Sequence, residues 1–308
     1  MNKDKRNLLF IYNPHAGKAQ IRSNLLDIID IFTKAGFTVT AMPTQKAGDA
    51  IETVKANVDA GYELLVCSGG DGTLDEVVTG LMQCDKRIPL GYVPAGTTND
   101  FARSLKISGN MINAASDIVN GRHYQCDVGS FNDDFFIYVA AFGVFTSVAY
   151  ETDQQMKNVL GSVAYFLEGV RQITSIPSYR IKVTADGKVT EGEYLFGMIT
   201  NSRSVGGFRG ITGRNVDMND GLFEVTLIKM PQNMIELNHI LTAVVSRRLH
   251  TDYMQVFKAK EIKMSSDEPI PWTLDGEYGG DHKEVIIRNE YHALEMVIPK
   301  RDENAHYD

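Results

Sequence analysis

Leu64-Leu65-Val66-Cys67-Ser68-Gly69-Gly70-Asp71-Gly72-Thr73-Leu74-Asp75-Glu76-Val77-Val78 is the stretch that decides how this chain folds. The apolar run Leu64 to Cys67 predicts a buried strand, and Leu74, Val77, Val78 and Leu81 recur at helical spacing beyond the glycines. A strand feeds a glycine turn that feeds a helix. Three glycines permit positive φ and close approach of the backbone to a ligand, while the N–H groups of a first helical turn favour an anion. The stretch reads as a phosphate cradle, with a plain surface turn as the alternative. It has neither the Lys-Ser/Thr ending of a Walker A loop nor the G-x-G-x-x-G spacing of a dinucleotide site. Instead Asp71 stands between the glycines, where a carboxylate would handle a metal ion or a proton beside the phosphate.

The flanking segments repeat the pattern. Leu8 to Tyr12 runs into Asn13-Pro14-His15-Ala16-Gly17-Lys18, and Pro89 to Val93 runs into Pro94-Ala95-Gly96-Thr97-Thr98-Asn99-Asp100-Phe101-Ala102-Arg103. Three successive strands thus end in polar, flexible loops, and open α/β sheets bind ligands beyond the carboxyl ends of their strands. Between Asn7 and about Gly121, strands alternate with helical patterns such as Leu25, Ile28, Ile29 and Phe32, predicting an N-terminal α/β domain with a largely parallel sheet over residues 1–121. After Arg122 the pattern turns β-rich. Tyr179 to Ala185 alternates apolar with polar residues, Asp186-Gly187 signals a hairpin, and Tyr194-Leu195-Phe196 resumes the run. A C-terminal β-sandwich-like domain over residues 122–308 is the expectation.

Composition sets bounds on function. With 308 residues and 43% hydrophobic content, the chain can bury the cores of two domains without disulfides. Cys67, Cys84 and Cys126 are odd in number and widely spaced, which suggests neither a disulfide framework nor a zinc cluster and makes reduced, cytoplasmic thiols the expectation. The seven histidines form no H-E-x-x-H pattern. The positive N-terminus is followed by an apolar run that stops at Asn13-Pro14, too short for a secretory signal. The longest uncharged run, Phe135 to Tyr150, falls short of the roughly 30 Å hydrocarbon core of a bilayer. A net charge of −8 argues against nucleic-acid binding and offers no global attraction to anionic lipid, so any membrane contact would need a local patch.

Taken in order, Asn13-Pro14-x-x-Gly17, Gly69-Gly70-Asp71-Gly72-Thr73 and Pro94-x-Gly96-Thr97-x-Asn99-Asp100-Phe101-Ala102 resemble the diacylglycerol kinase catalytic domain, specifically the soluble bacterial diacylglycerol and lipid kinases. Asp127-x-Gly129, the segment from Asn201 to Gly207, Asp220-Gly221-Leu222 and Asp275-Gly276-Glu277 extend the resemblance through the second half. One position departs: the similar proteins usually carry Asn where this chain has Asp75. The resemblance implies an ATP-dependent lipid kinase, most simply one that makes phosphatidic acid from ATP and diacylglycerol, with ATP on the N-terminal domain and Mg²⁺ as cofactor. It also implies transient contact with a membrane surface from the cytoplasm, a homodimer, and a C-terminal segment that packs back on the first domain.

The same resemblance assigns candidate roles. Backbone N–H groups of Gly69, Gly70, Asp71, Gly72 and Thr73, the hydroxyls of Thr73 and Thr97, and neighbouring Leu74, Asp75 and Glu76 make up the nucleotide loop, completed by Asn13, Pro14, His15, Ala16, Gly17 and Thr44. Lys18 reads equally as a phosphate-neutralising or a solvated lysine. For the acceptor hydroxyl, Glu277 is the expected general base in a pocket between domains, with burial beside Asp275 raising its pKa. Asp71 is the competing base, and its expected place is beside the catalytic magnesium and phosphates. A structural magnesium is expected on Asp220 and the carbonyls of Asp217 and Leu222, sparse ligation that magnesium tolerates by keeping its waters. An Asp-Gly turn is the plain reading of both the Asp220 and the Asp275 sites. The helix expected from Asn233 to Leu249, ending in Arg247-Arg248, reads as an ordinary packed helix or as a lipid contact. Kinases of other lipids, a soluble-substrate kinase of the NAD kinase type and a non-catalytic nucleotide sensor are the alternatives.

Overall fold

The computed structural model describes residues 6–143, 176–202, 204–205, 208–209, 216–246 and 251–300. The Lys18 side chain, Gly207, Arg247-Arg248, the second half of the Phe135 to Tyr150 run and the tail beyond Lys300 lie outside the described residues. The chain divides into two compact units, Met1–Cys126 with His292–Asp308, and Asp127–Tyr291.

The first unit holds β1 (Arg6–Tyr12), α1 (Ala16–Ala19), α2 (Ile21–Lys34), β2 (Phe37–Pro43), α3 (Asp49–Asn57), β3 (Leu64–Gly69), α4 (Asp71–Met82), β4 (Leu90–Pro94), α5 (Asp100–Ser104) and α6 (Met111–Asn120). Strands pair in the order β4-β3-β1-β2, and β1 with β2, β1 with β3, and β3 with β4 are all parallel. Parallel strands covered on both faces read as continuous apolar runs, and every residue of β3 is buried. Helix α2 buries Ile21, Ile28 and Phe32 on one stripe, the Phe32 ring meeting Phe10 edge-on at 6.1 Å. Helix α6 starts at Asn110, whose Oδ1 accepts from the N–H groups of Ile112 and Asn113, both at 3.0 Å.

The second unit is antiparallel throughout its described pairings. Its elements are β5 (Arg122–Phe131, beginning in the first unit), β6 (Asp134–Phe136), β7 (Val139–Gly143), β8 (Tyr179–Ala185), β9 (Lys188–Thr200), β10 (Ser204–Val205), β11 (Phe208–Arg209), β12 (Phe223–Lys229), α7 (Met234–Val245), β13 (Met254–Ala259), β14 (Glu261–Leu274) and β15 (Glu277–Ile298). Strand β15 ends in the first unit, where Met296 and Val297 pair in parallel with Leu90 and Gly91 of β4. Trp272 is the hub of the second core, its ring lying 5.0 Å from Phe131 and 4.9 Å from Phe142. The β8–β9 hairpin turns on Asp186-Gly187 with φ of 46° and 82°, the left-handed pair that a two-residue type I′ loop requires. Helix α7 is bounded at Met234–Val245 and buries Leu237, Ile240 and Ala243. Among the described residues no helix is long and apolar enough to cross a membrane.

Candidate active site

Lateral hydrogen bonds gather the loops at the carboxyl ends of the parallel strands. The N–H of Asn13 donates to the Ser68 carbonyl at 2.8 Å, that of Ala95 to the Gly69 carbonyl at 2.8 Å, and that of Thr44 to the Tyr12 carbonyl at 2.9 Å. Side chains add to the tie: Asn13 Nδ2 reaches Thr73 Oγ1 at 3.4 Å, and the His15 N–H donates to Asn13 Oδ1 at 2.9 Å. The loops approach so closely that only glycine fits at the contacts. A Cβ placed on Gly17, which has φ of +50°, would lie 1.5 Å from the Ala95 carbonyl oxygen, and one on Gly96 would lie 2.7 Å from the Gly70 Cα.

Helix α4 opens in this gap. Its N-cap, Gly70, is extended and supplies no capping side chain, so the first-turn N–H groups of Asp71, Gly72 and Thr73 form a surface suited to an anion. Gly69 is buried, Gly70, Asp71, Gly72, Thr73 and Asp75 are half-buried, and Thr97 is exposed. Asn13, Pro14, Ala16 and Gly17 are half-buried and His15 is exposed, while Thr44 is buried beneath them. Two members of the expected nucleotide loop have other work. Leu74 is fully buried in the core, and its N–H already donates to the Gly70 carbonyl at 3.1 Å. Glu76 accepts from the Gly48 N–H at 2.9 Å and the Ala50 N–H at 3.2 Å, so its carboxylate holds the start of α3.

Tyr92 is a residue the sequence did not single out. Its buried hydroxyl donates to the Gly69 carbonyl at 3.0 Å and lies 3.4 Å from Asn99 Oδ1. Asn99, in a left-handed conformation with φ of 50°, in turn accepts from the Gly96 N–H at 3.0 Å and donates to the Gly96 carbonyl at 2.8 Å. One tyrosine on β4 thereby joins both glycine loops. Burial pushes its phenol well above the ordinary range, with a smaller contribution from the negative charge of Asp71, so it acts as a neutral donor.

The second unit brings its own motifs together. Asp127, fully buried, accepts from the Gly221 N–H at 2.7 Å and donates its own N–H to the Met218 carbonyl at 2.8 Å. Asn201 donates through Nδ2 to the Asp127 carbonyl at 2.8 Å and through its N–H to the Tyr138 carbonyl at 3.1 Å. Asp275 completes the chain: its carboxylate accepts from the N–H groups of Ile137, Tyr138 and Val139 at 2.6, 3.0 and 2.8 Å. A carboxylate taking three backbone N–H bonds acts as a clamp on the segment that donates them. Glu277 itself is exposed, at the start of β15 and just past the Asp275-Gly276 loop.

The expected metal loop carries charge of both signs. Asp220 accepts from the Leu222 N–H at 3.1 Å and pairs with the Lys258 ammonium at 2.8 Å, which also meets Glu224 at 3.0 Å. Burial pushes the Glu224 carboxyl up to about 7 against the pull of Lys258. Among the described residues no three His, Cys, Asp or Glu side chains group as a metal site. The oxygen donors suit magnesium in kind, and the ammonium marks the loop as a place that attracts a cation; a metal on Asp220 would compete with Lys258.

Known proteins place this architecture. Residues 7–131 match the diacylglycerol kinase catalytic domain, and residues 139–297 match the YegS C-terminal NAD kinase beta sandwich-like domain. A diacylglycerol kinase of Staphylococcus carnosus is 35% identical over 297 residues, covering 96% of each chain. One of Bacillus subtilis is 34% identical over 292 residues, covering 94% of this chain and 95% of its own. The crystal structure of a Bacillus anthracis diacylglycerol kinase superposes with a TM-score of 0.75 at 24% identity, covering 97% of this chain and 98% of that one, a likeness of fold. Two domains, the second β-sandwich-like, and a glycine-loop catalytic domain define a lipid kinase, a phosphotransferase. The chain belongs to the diacylglycerol kinase family.

Proposed function

We propose that this protein transfers the γ-phosphate of ATP to the free hydroxyl of 1,2-diacylglycerol, yielding phosphatidic acid and ADP. The observation that carries the reading is the backbone-to-backbone contact of Gly17 with Ala95 and of Gly70 with Gly96 at the uncapped start of α4. Loops this close leave main-chain N–H groups, rather than side chains, to face phosphate. In this reading the N–H groups of Gly70 to Thr73 hold the phosphates, with Asn13, Thr44, Thr73 and Thr97 completing the nucleotide site. Phosphoryl transfer asks the protein mainly to position donor and acceptor and to remove the acceptor's proton.

Glu277 is the proposed proton acceptor: the acceptor oxygen bonds to the γ-phosphorus as its proton passes to the carboxylate and the bond to ADP breaks. Glu277 suits the role because it is exposed on a two-residue hairpin, with its direction set by Asp275 and Gly276. Magnesium beside Asp71 would neutralise phosphate charge when bound, and a separate, structural magnesium on Asp220 and the carbonyls of Asp217 and Leu222 would brace its own loop. The acceptor is a lipid, so turnover requires transient contact with a bilayer surface. The test compares wild type with Asp71→Asn and Glu277→Gln in Mg²⁺-dependent transfer from γ-labelled ATP to diacylglycerol in mixed micelles. Both variants are expected to stay folded and to lose at least about 100-fold in rate, the usual scale for a positioned acid or base. Wild-type turnover in either variant would remove that residue from the chemistry.

A further inference from the structure

We propose that Tyr138 is a positioning residue that aims Glu277, by gripping both ends of Asp275. The inference rests on Glu277 being the base and adds a residue that no sequence motif marked. Asp275 and Gly276 form the whole loop between β14 and β15, since Leu274 pairs directly with Glu277. Their φ values are 50° and 90°, the left-handed pair of a type I′ loop, which Asp and Gly both adopt.

The grip comes from Tyr138. Its N–H donates to Asp275 Oδ1 at 3.0 Å, and its hydroxyl donates to the Asp275 carbonyl at 2.7 Å. The Asp275 N–H donates to the Val139 carbonyl at 2.8 Å, and the N–H groups of Ile137 and Val139 take the remaining carboxylate positions. The Asp275 nitrogen, side chain and carbonyl are all engaged by three consecutive residues. A type I′ Asp-Gly loop closes a hairpin without such help, so the Tyr138 hydroxyl contributes more than the turn needs. The oxygen it holds belongs to the Asp275–Gly276 peptide, one plane before Glu277. Holding that plane constrains the direction in which β15 leaves the turn, and so the point from which the Glu277 side chain projects. Tyr138 is itself anchored, being 7% exposed, with its carbonyl accepting from the Asn201 N–H.

A misplacement of about 1 Å in a reacting group costs up to ~100-fold in rate. Loss of one of several ties should therefore lower kcat by about tenfold in Tyr138→Phe, with KM for ATP unchanged because Tyr138 acts on the acceptor's base and not on the nucleotide loops. The decisive arm is a double-mutant cycle with Glu277→Gln, read as kcat per folded enzyme with thermal melting alongside. A residue that acts by aiming Glu277 has nothing left to aim in that background, so Tyr138→Phe should then cost nothing further. An equal loss in both backgrounds, a matching rise in KM for ATP, or an unchanged kcat in the single variant would each overturn the inference. Wild-type turnover in Glu277→Gln would instead overturn the base assignment on which it rests. Should Tyr138→Phe fail to fold, Asp275→Asn serves in its place: Asn tolerates the left-handed conformation but loses the charged clamp, and the same cycle applies.

Discussion

Replacing Gly17 by alanine probes the closest contact in the cradle. The new methyl carbon would stand 1.5 Å from the Ala95 carbonyl oxygen, whereas ordinary contact begins at 3.4 Å, so the first and third loops must part by about 2 Å. The residue must also hold φ of +50°, which costs an alanine about 1–2 kcal/mol. Forced overpacking adds about 1–3 kcal/mol. Gly36 supplies the control, because it has φ of +91° with nothing within 4 Å of an added Cβ, and so carries only the conformational part. Urea unfolding should show Gly17→Ala losing about 2–5 kcal/mol and Gly36→Ala about 1–2. Calorimetric titration with Mg·ATP should show at least a tenfold weaker affinity for Gly17→Ala and wild-type affinity for Gly36→Ala, tenfold being about 1.4 kcal/mol. Wild-type ATP affinity in Gly17→Ala, with a stability loss no larger than that of Gly36→Ala, would refute the placement of the nucleotide between these loops.

Three further outcomes follow from the same geometry. Tyr92→Phe leaves the buried Gly69 carbonyl short of one donor, so stability should fall by about 1–2 kcal/mol with a several-fold rise in KM for ATP; an unchanged KM would confine the hydroxyl to stability. Glu76→Ala should cost about 1 kcal/mol in thermal unfolding through α3 while leaving ATP affinity intact, and weakened affinity would return Glu76 to the nucleotide site. Glu224 carries a folded pKa of about 7 against an ordinary 4.5, so the folded state binds the extra proton and loses stability as pH rises through that window. In chelator-containing buffer the fall should reach at most about 3 kcal/mol, and Glu224→Gln should flatten it; an identical slope in the variant would contradict the assignment.

The β3-turn-α4 unit was readable because a doubly covered parallel strand must be apolar throughout, and because α4 shows its period immediately after the glycines. The β8–β9 hairpin was readable because Asp186-Gly187 is a turn with a backbone reason. Strands β14 and β15, of 14 and 22 residues, were not delineated. Pro269 and Pro271 interrupt the β14 pattern, and the register of β14 on β15 shifts between Ser265 and Ile270 and again between Pro271 and Thr273, where irregular pairing accommodates proline. Close backbone contacts and tight turns left a mark in the sequence, as at Gly17, Gly70 and Asp275. Tyr92 and Tyr138 did not, because their partners are main-chain carbonyls that leave no trace in side-chain spacing. Glu76 and Leu74 sit inside the motif and yet serve a neighbouring helix and the core, which only burial and partners reveal.

The most direct measurement offers the wild-type protein γ-labelled ATP and Mg²⁺ with diacylglycerol, phosphatidylglycerol, sphingosine and NAD in mixed micelles, and identifies the labelled product. Label in phosphatidic acid, dependent on the micelle surface, is the predicted result; label in NAD, or ATP bound with no acceptor labelled, would contradict it.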